Sequence, residues 1–270
     1  MGNLVSHSEF HPAEGLFYGS VPYVMHTRFD VVMMSSAKET AETVWEDICT
    51  ELERLWHMLD RFDPASEVSA LNSGAALSPV RVSETMVEVL RLCAMYHERT
   101  MGIFDVTKRD FSRVRMEGDT VTFTAPDTFL DLGGFAKGYA VRKVRDLLSR
   151  AGIEDAYVDF GGSTILGMGH HPFGDSWKVS LQNPFSGEPI GEFSLRDSTL
   201  STSGNTPEYA GHIINPRTGA KIAGKIASTV MSPDPLDAEV LSTVWLVAGA
   251  QQKQEVRKNF PDMIASVYEL

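Results

Sequence analysis

Hydrophobic and polar positions recur with two different periods along the chain, and the period changes at identifiable points. Ala41, Val44, Trp45, Ile48, Leu52, Leu55, Trp56 and Leu59 recur at three and four, which predicts a long amphipathic helix ended by Asp63-Pro64. Glu84 to Arg99 repeats the helical period through Val87, Leu90, Ala94 and His97. A third helix is marked by Ala140, Val141, Val144, Leu147 and Leu148 and closes on Ala151-Gly152. A fourth covers Pro235 to Ala250. Strand patterns rich in β-branched and aromatic residues cover Tyr23 to Met34, Thr120 to Thr124, Phe129 to Leu132, Ala156 to Phe160, Trp177 to Leu181 and Ile190 to Leu200, with another near His212 to Asn215. Helices and strands alternate without a regular βαβ rhythm. The expected class is therefore α+β with largely antiparallel sheets, not a doubly wound fold. Residues 1 to 20, polar and punctuated by Gly and Pro, are expected to form a flexible N-terminal arm, and 21–270 a single domain. No short repeat or low-complexity linker divides that domain.

Composition narrows the function classes. The chain has 270 residues, 43% of them hydrophobic, enough for one substantial core or two intimately packed subdomains. A formal net charge of -12 argues against nucleic acid as the main partner, because phosphate neutralisation needs clustered Lys and Arg. It leaves room for a single nucleotide held by local positive charge or a metal. Cys49 and Cys93 both fall in apolar helical patterns and read as buried thiols, with a disulfide unforced and no zinc spacing. No apolar run approaches the length of a membrane span. The first fifteen residues carry no basic start, apolar stretch or lipid-attachment cysteine, so the chain as given reads as soluble and its compartment stays open.

Four segments could carry chemistry. In Leu130-Asp131-Leu132-Gly133-Gly134-Phe135-Ala136-Lys137-Gly138, a strand meets paired glycines and then a helix with lysine in its first turn. Glycines allow close approach, free amides at a helix start point at an anion, and Lys137 adds a full charge. These features make a phosphate cradle, although G-x-x-x-x-G-K-[ST] is absent and a strand–helix turn with a surface lysine fits equally. Asp159-Phe160-Gly161-Gly162-Ser163-Thr164 again puts glycines after a strand. The Gly167-Met168-Gly169 that follows lacks the third glycine of a dinucleotide fingerprint. Ser201-Thr202-Ser203-Gly204 offers small hydroxyls for a pocket, and His212 begins an apolar stretch leading to Pro216 and Gly219, which suit a type I turn. His212 reads either as a satisfied structural residue or as a general base. Glu239 and Thr243, four apart on the last helix, share one face and offer hard oxygens suited to Mg²⁺; a dipole-favoured acid beside a packed threonine is the plainer alternative.

Taken together, these segments resemble the ApbE family, the FAD:protein FMN transferases, from about residue 22 to the end. Ser66 to Asn72 is similar to the family's S-E-[LI]-S-x-L-N, and Gly102 to Thr107 to its G-[AG]-F-D-[IPV]-T. Leu130 to Ala140 resembles D-L-G-[GA]-[IF]-A-K-G-Y-A, Asp159 to Ser163 resembles N-x-G-G-D, and Trp177 to Pro184 resembles W-x-[VI]-x-[IL]-x-[ND]-P. Thr202-Ser203-Gly204, His212 to Gly219 and Ala238 to Thr243 are similar to T-S-G, H-I-[IL]-[DN]-P-x-T-G and A-D-A-L-S-T. Each motif is ordinary alone; all of them in this order make a specific match.

The resemblance implies two packed α+β halves with an FAD cleft between them. It implies contacts to the flavin nucleotide from Asn72, Asp105, Gly133, Gly134, Lys137, Gly161, Gly162, Ser163, Thr202, Ser203 and Gly204. It implies Mg²⁺ held by Glu239, Thr243 and the Ala136 carbonyl, with Lys137 and His212 as catalytic residues. The implied reaction passes FMN from FAD to a threonine of an acceptor flavoprotein subunit and releases AMP. Members of the family are often exported and lipid-anchored. This chain departs from the family at two site positions. Glu239 stands where the family has Asp, which moves the carboxylate by one methylene. Ser163 stands where the family has Asp, with Asp159 replacing a nearby Asn. These changes bear on turnover more than on flavin binding. Beside the transferase they leave open a hydrolase giving FMN and AMP, and a flavin binder without turnover.

Overall fold

The computed structural model describes residues 4–209, 211 and 213–270. In chain order the strands are β1 (His7–His11), β2 (Leu16–Val24), β3 (Thr27–Met34), β4 (Val80–Arg81), β5 (Val114–Glu117), β6 (Thr120–Phe123), β7 (Ala156–Phe160), β8 (Thr164–Met168), β9 (Trp177–Gln182), β10 (Pro189–Leu195), β11 (Ser198–Gly204), β12 (Ile226–Ser232) and β13 (Ile264–Glu269). The helices are α1 (Lys38–Leu59), α2 (Glu67–Gly74), α3 (Glu84–Arg99), α4 (Ala136–Arg150), α5 (Pro235–Val247) and α6 (Ala250–Asn259). The class is α+β, and every pairing between these strands is antiparallel.

One sheet of eight strands, in the order β1-β2-β3-β7-β8-β11-β12-β13, runs through the molecule. Between β3 and β7 the chain leaves this sheet and builds α1 to α4 and a small sheet, β4-β6-β5. Between β8 and β11 it makes the hairpin β9-β10. The main core lies under the helices, where Ile48, Leu52 and Leu55 of α1, Val141 and Val144 of α4, and Val240 and Val244 of α5 are fully buried. That core also takes in Val121 and Phe123 of the small sheet, so the two halves share one apolar interior. A second cluster, Ile165, Trp177, Val179, Leu195 and Leu200, seals the hairpin against the large sheet, and the Trp177 indole N–H donates to the Met168 carbonyl at 2.8 Å.

The elements depart from the sequence pattern in five places. Residues 7–11 and 16–20, expected in a loose arm, are sheet strands, with Phe17 and Val21 in the core. Tyr23 to Met34 is a hairpin rather than one strand, turning at Met25 and His26, both at positive φ. Phe129 to Leu132 joins no sheet. The Asn72 side chain accepts from Leu130 N at 2.7 Å and donates to Leu130 O at 3.0 Å, so it takes the groups a neighbouring strand would use. Ile190 to Leu200 breaks at Arg196-Asp197 into β10 and β11. The expected strand near His212 to Asn215 reduces, in its described residues, to a short hairpin. Ile213 and Asn215 exchange backbone bonds with Ile222 and Ala220 on either side of an Ile214–Lys221 bridge, and Asn215 then accepts from Arg217 N and Thr218 N in a tight turn with Pro216. Both cysteines are free, Cys93 buried and Cys49 partly so. No helix among the described residues is long and apolar enough to cross a membrane.

Candidate functional site

The site forms where α4 crosses α5 above β8, β11 and β12. The three-residue turn Gly161-Gly162-Ser163 sets the register of β8, and its two glycines sit at φ of +68° and +66°, where a side chain is strained. Asp159 closes this turn by accepting from Gly162 N at 2.7 Å; burial pushes its carboxyl above the usual range against that hydrogen bond. The Ser163 carbonyl accepts from Thr202 N at 2.8 Å, tying the turn to β11.

That register places Thr164 of β8 directly opposite Ser201 of β11. Both residues are fully buried, and both hydroxyls donate to one oxygen of Glu239, Oε2, at 2.5 and 2.9 Å. Two positions along β11, on the same face, Ser203 meets the Ser242 hydroxyl at 2.7 Å and the Thr243 hydroxyl at 3.0 Å. Ser242, three residues after Glu239 on α5, donates back to the Glu239 carbonyl at 2.8 Å. A seam of hydroxyls thus joins α5 to the sheet and fixes a carboxylate that is only 4% exposed.

The other carboxylate oxygen, Oε1, accepts from the Lys137 ammonium at 2.7 Å. Lys137 can reach it because Gly138 lets α4 lie against α5: a Cβ on Gly138 would stand 2.4 Å from Glu239 Cβ and 2.9 Å from the Pro235 carbonyl oxygen. The loop before α4 closes the same point, since a Cβ on Gly134 would lie 3.6 Å from the Thr243 hydroxyl. Helices α2, α3 and α5 start on Ser66, Ser83 and Asp234, whose side chains cap the first turn. Helix α4, like α1, starts with no side-chain cap; its first amide, Ala136 N, donates to the Leu132 carbonyl at 2.9 Å, and the rest of its first turn has no capping side chain in the way of an anion. Behind this turn, Asp131 accepts from Gly133 N at 2.9 Å and pairs with Lys108 and Arg61. Burial alone would raise the Asp131 carboxyl, but those hydrogen bonds and charges outweigh it and hold the group below the usual carboxylate range.

The structure brings together Gly134, Ala136, Lys137, Ser203, Glu239 and Thr243, with Gly133 on the loop just before them. Ser163, Thr202, Gly161 and Gly162 line the adjoining turn and strand, and Gly204 ends β11 against the backbone of Ile226. Asn72 and Asp105 act on backbone groups of this chain. Asn72 holds Leu130, while buried Asp105 accepts from Thr107 N at 2.8 Å and Phe111 N at 2.9 Å, next to the Val106 carbonyl that receives Asp131 N. Both therefore position the 130–134 loop. His212 lies outside the described residues. The neighbouring Arg217 reaches from its turn to the Met101 carbonyl. Thr164, Ser201 and Gly138 fall inside candidate segments of the sequence, but the sequence pattern assigned none of them a role of its own. The signal was faint: Ser201 and Ser203 share strand parity, and Glu239 and Ser242 share helical spacing.

The donor set suits a hard cation. A carboxylate and a hydroxyl one helical turn apart on α5 face the start of α4, whose first residue is Ala136. The position at Oε1 already carries a positive charge, the Lys137 ammonium. Among the described residues no cluster of three or more His, Cys, Asp or Glu offers a competing metal centre. Replacing Thr164 by valine, of equal shape, removes one donor from the buried carboxylate. Denaturant unfolding is expected to show a loss of about 1.5–3 kcal/mol, which Thr164→Ser largely restores. An unchanged midpoint in the valine variant would mean that the hydroxyl does not hold Glu239.

Comparison with known proteins bears on the fold and the sequence pattern. The model of the ApbE family matches residues 25–114 and 107–267. A FAD:protein FMN transferase of Rhodobacter capsulatus is 35% identical over 144 residues, which are 50% of this chain and 27% of that protein's own length. The FAD:protein FMN transferase of Escherichia coli (strain K12) is 25% identical over 264 residues, covering 82% of this chain and 75% of the relative. Among solved structures, the flavin transferase ApbE of Vibrio cholerae superposes with a TM-score of 0.81 at 23% identity, over 93% of this chain and 92% of that one. The ApbE protein of Thermotoga maritima gives 0.78 at 21% identity, over 92% and 94%. With the family pattern matched from Met25 to the last strand, the chain belongs to the ApbE family.

Proposed function

We propose that this protein transfers FMN from FAD to a threonine hydroxyl of an acceptor protein and releases AMP. The observation that carries this reading is the meeting of Gly134, Lys137, Glu239 and Thr243 at the uncapped start of α4. A pyrophosphate calls for that combination of open amides, a full positive charge and hard oxygens that can share a divalent cation. The activity named for the relatives from Escherichia coli and Treponema pallidum supports it.

In this reading the first turn of α4 and Lys137 bind the pyrophosphate. Glu239, Thr243 and the Ala136 carbonyl would hold Mg²⁺, which when bound supplies charge neutralisation at the pyrophosphate and at the departing AMP. Thr164 and Ser201 keep the Glu239 carboxylate in one orientation. The Gly161–Ser163 turn and Thr202 to Gly204 line the neighbouring cleft for the rest of the nucleotide. The acceptor oxygen bonds to the FMN-side phosphorus, the bridging P–O bond to AMP breaks, and the hydroxyl proton passes to a base. The sequence motif nominates His212 for that base. The acceptor class is a flavin-bearing protein subunit that presents an accessible threonine.

Incubation with FAD, Mg²⁺ and a threonine-containing acceptor peptide, followed by mass spectrometry, tests the reading. A peptide carrying phosphoester-linked FMN is the expected product. Free FMN and AMP with unmodified peptide would make the protein a hydrolase, and intact bound FAD would make it a binder. Failure to bind FAD in the presence of Mg²⁺ would remove the reading altogether.

A further inference from the structure

We propose that Lys137 is an exchangeable counter-cation: its ammonium holds Oε1 of Glu239 until a divalent cation takes that oxygen, and it then turns to a ligand phosphate. The inference rests on the cation and pyrophosphate assigned to this pocket under the proposed function, and adds that the two bind through one shared side chain.

Three observations carry it. First, the two oxygens of Glu239 are not equivalent. Oε2 accepts from both Thr164 and Ser201, two fully buried hydroxyls fixed by strand register, whereas Oε1 accepts from Lys137. A cation entering this pocket must therefore compete for Oε1. Second, the two partners differ in freedom. The Glu239 side chain is 5% exposed and clamped, while that of Lys137 is 23% exposed and swings on a four-carbon stem. The lysine is the partner that moves. Third, Lys137 stands in the first turn of α4, which has no side-chain cap, so an ammonium released from Glu239 stays beside amides that suit an anion.

Charge explains why these steps exchange rather than add. A buried carboxylate left without a partner is strongly unfavourable, so Glu239 keeps the ammonium while no metal is present. A divalent ion and an ammonium on the same oxygen repel each other, so arrival of one expels the other. Before nucleotide arrives, Lys137 competes with the metal and weakens its binding. Once a phosphate is present to receive the ammonium, that competition disappears. Metal and nucleotide then strengthen each other's binding by the same factor, as linkage requires. The Glu239 side chain reaches the hydroxyl pair with one oxygen and the lysine with the other.

Mn²⁺ serves as the probe, because the EPR signal of the free ion reports binding without turnover. Titrations use the full chain, wild type and Lys137→Met, each alone and with FAD. Without nucleotide, Lys137→Met is expected to bind Mn²⁺ about tenfold more tightly than wild type, the effect of removing one charge-assisted competitor. Lys137→Arg, which keeps a cation, should bind it as weakly as wild type. The factor by which FAD tightens Mn²⁺ binding should be about tenfold smaller in Lys137→Met than in wild type. Equal, measurable Mn²⁺ affinity in wild type and Lys137→Met would overturn the exchange while leaving the metal site standing. No Mn²⁺ binding by either protein, with or without FAD, would remove the cation from the pocket and the metal-dependent reading with it. Far-UV circular dichroism checks that the methionine variant is folded, and Lys137→Gln takes its place in the same titrations if it is not.

Discussion

A Gly138→Val protein is expected to unfold roughly 5–10 °C below wild type and to lose more activity than that change in stability explains. The valine Cβ alone would sit 2.4 Å from Glu239 Cβ and 2.9 Å from the Pro235 carbonyl oxygen. The second of these is backbone, so no side-chain rotation relieves it. Helix α4 must move away from α5, and overpacking of this kind costs about 1–3 kcal/mol. The same movement takes Lys137 away from Glu239 and Gly134 away from Thr243, so the site residues separate before the fold fails. Gly138→Ala should show the same two effects at reduced size. Gly174→Ala is the control: a Cβ there meets nothing within 4 Å, and its melting temperature should stay at the wild-type value. Thermal unfolding and the flavinylation assay, run side by side, check the prediction. A valine variant with wild-type melting and wild-type transfer would show that the α4–α5 crossing does not shape the site.

The reason so much of this fold was legible, and part of it was not, is physical. Helices α1, α3 and α4 each bury one stripe and wet the other, so the period of three and four survives in the sequence. Helix α2 has eight residues and buries only Val68 and Leu71, too few to establish a period. Strand β8 is buried at all five positions because helices cover one face and the β9-β10 hairpin the other; alternation, the usual mark of a strand, is absent there. Strand β2 was masked by Gly19, which the sheet needs because the Trp45 ring lies where its Cβ would go. The site divides in the same way. Gly134, Lys137, Glu239 and Thr243 were legible as residue types suited to a phosphate and a hard cation. The parts played by Thr164 and Ser201 depend on the register between β8 and β11, a long-range pairing that no local pattern encodes. The positioning work of Asn72 and Asp105 was hidden for the same reason, since their partners are backbone groups elsewhere in the chain.

Changing Glu239 to Gln is expected to lower FMN transfer by at least about a hundredfold, roughly 3 kcal/mol of transition-state stabilisation, while leaving most of the protein folded. The substitution keeps volume and reach and removes the negative charge. The amide oxygen can still accept from Thr164 and Ser201, which turns the amide nitrogen toward the Lys137 ammonium. Two donors then face each other at the position where Glu239 now accepts. Lys137 loses its charged partner, and a divalent cation bound as proposed would lose the carboxylate of its donor set. Breaking a buried pair by removing one charge is strongly destabilising when the remaining charge is sealed in. Here that charge belongs to Lys137, which is partly exposed and can turn to solvent, so the stability loss should be smaller than for a fully enclosed ion. The expected signature is therefore a protein with cooperative unfolding near the wild-type midpoint and transfer close to background at every Mg²⁺ concentration. Glu239→Asp separates charge from reach. It restores the carboxylate but is one methylene too short to keep the hydroxyl pair on one oxygen while the other reaches whichever cation, Lys137 or the divalent ion, is present. Activity that rises in this variant with added Mg²⁺ would mean that the carboxylate charge dominates and the longer side chain is what weakens the metal. Transfer by Glu239→Gln at the wild-type rate would show that the site works without this carboxylate and would undo the assignment of Glu239 to the cation.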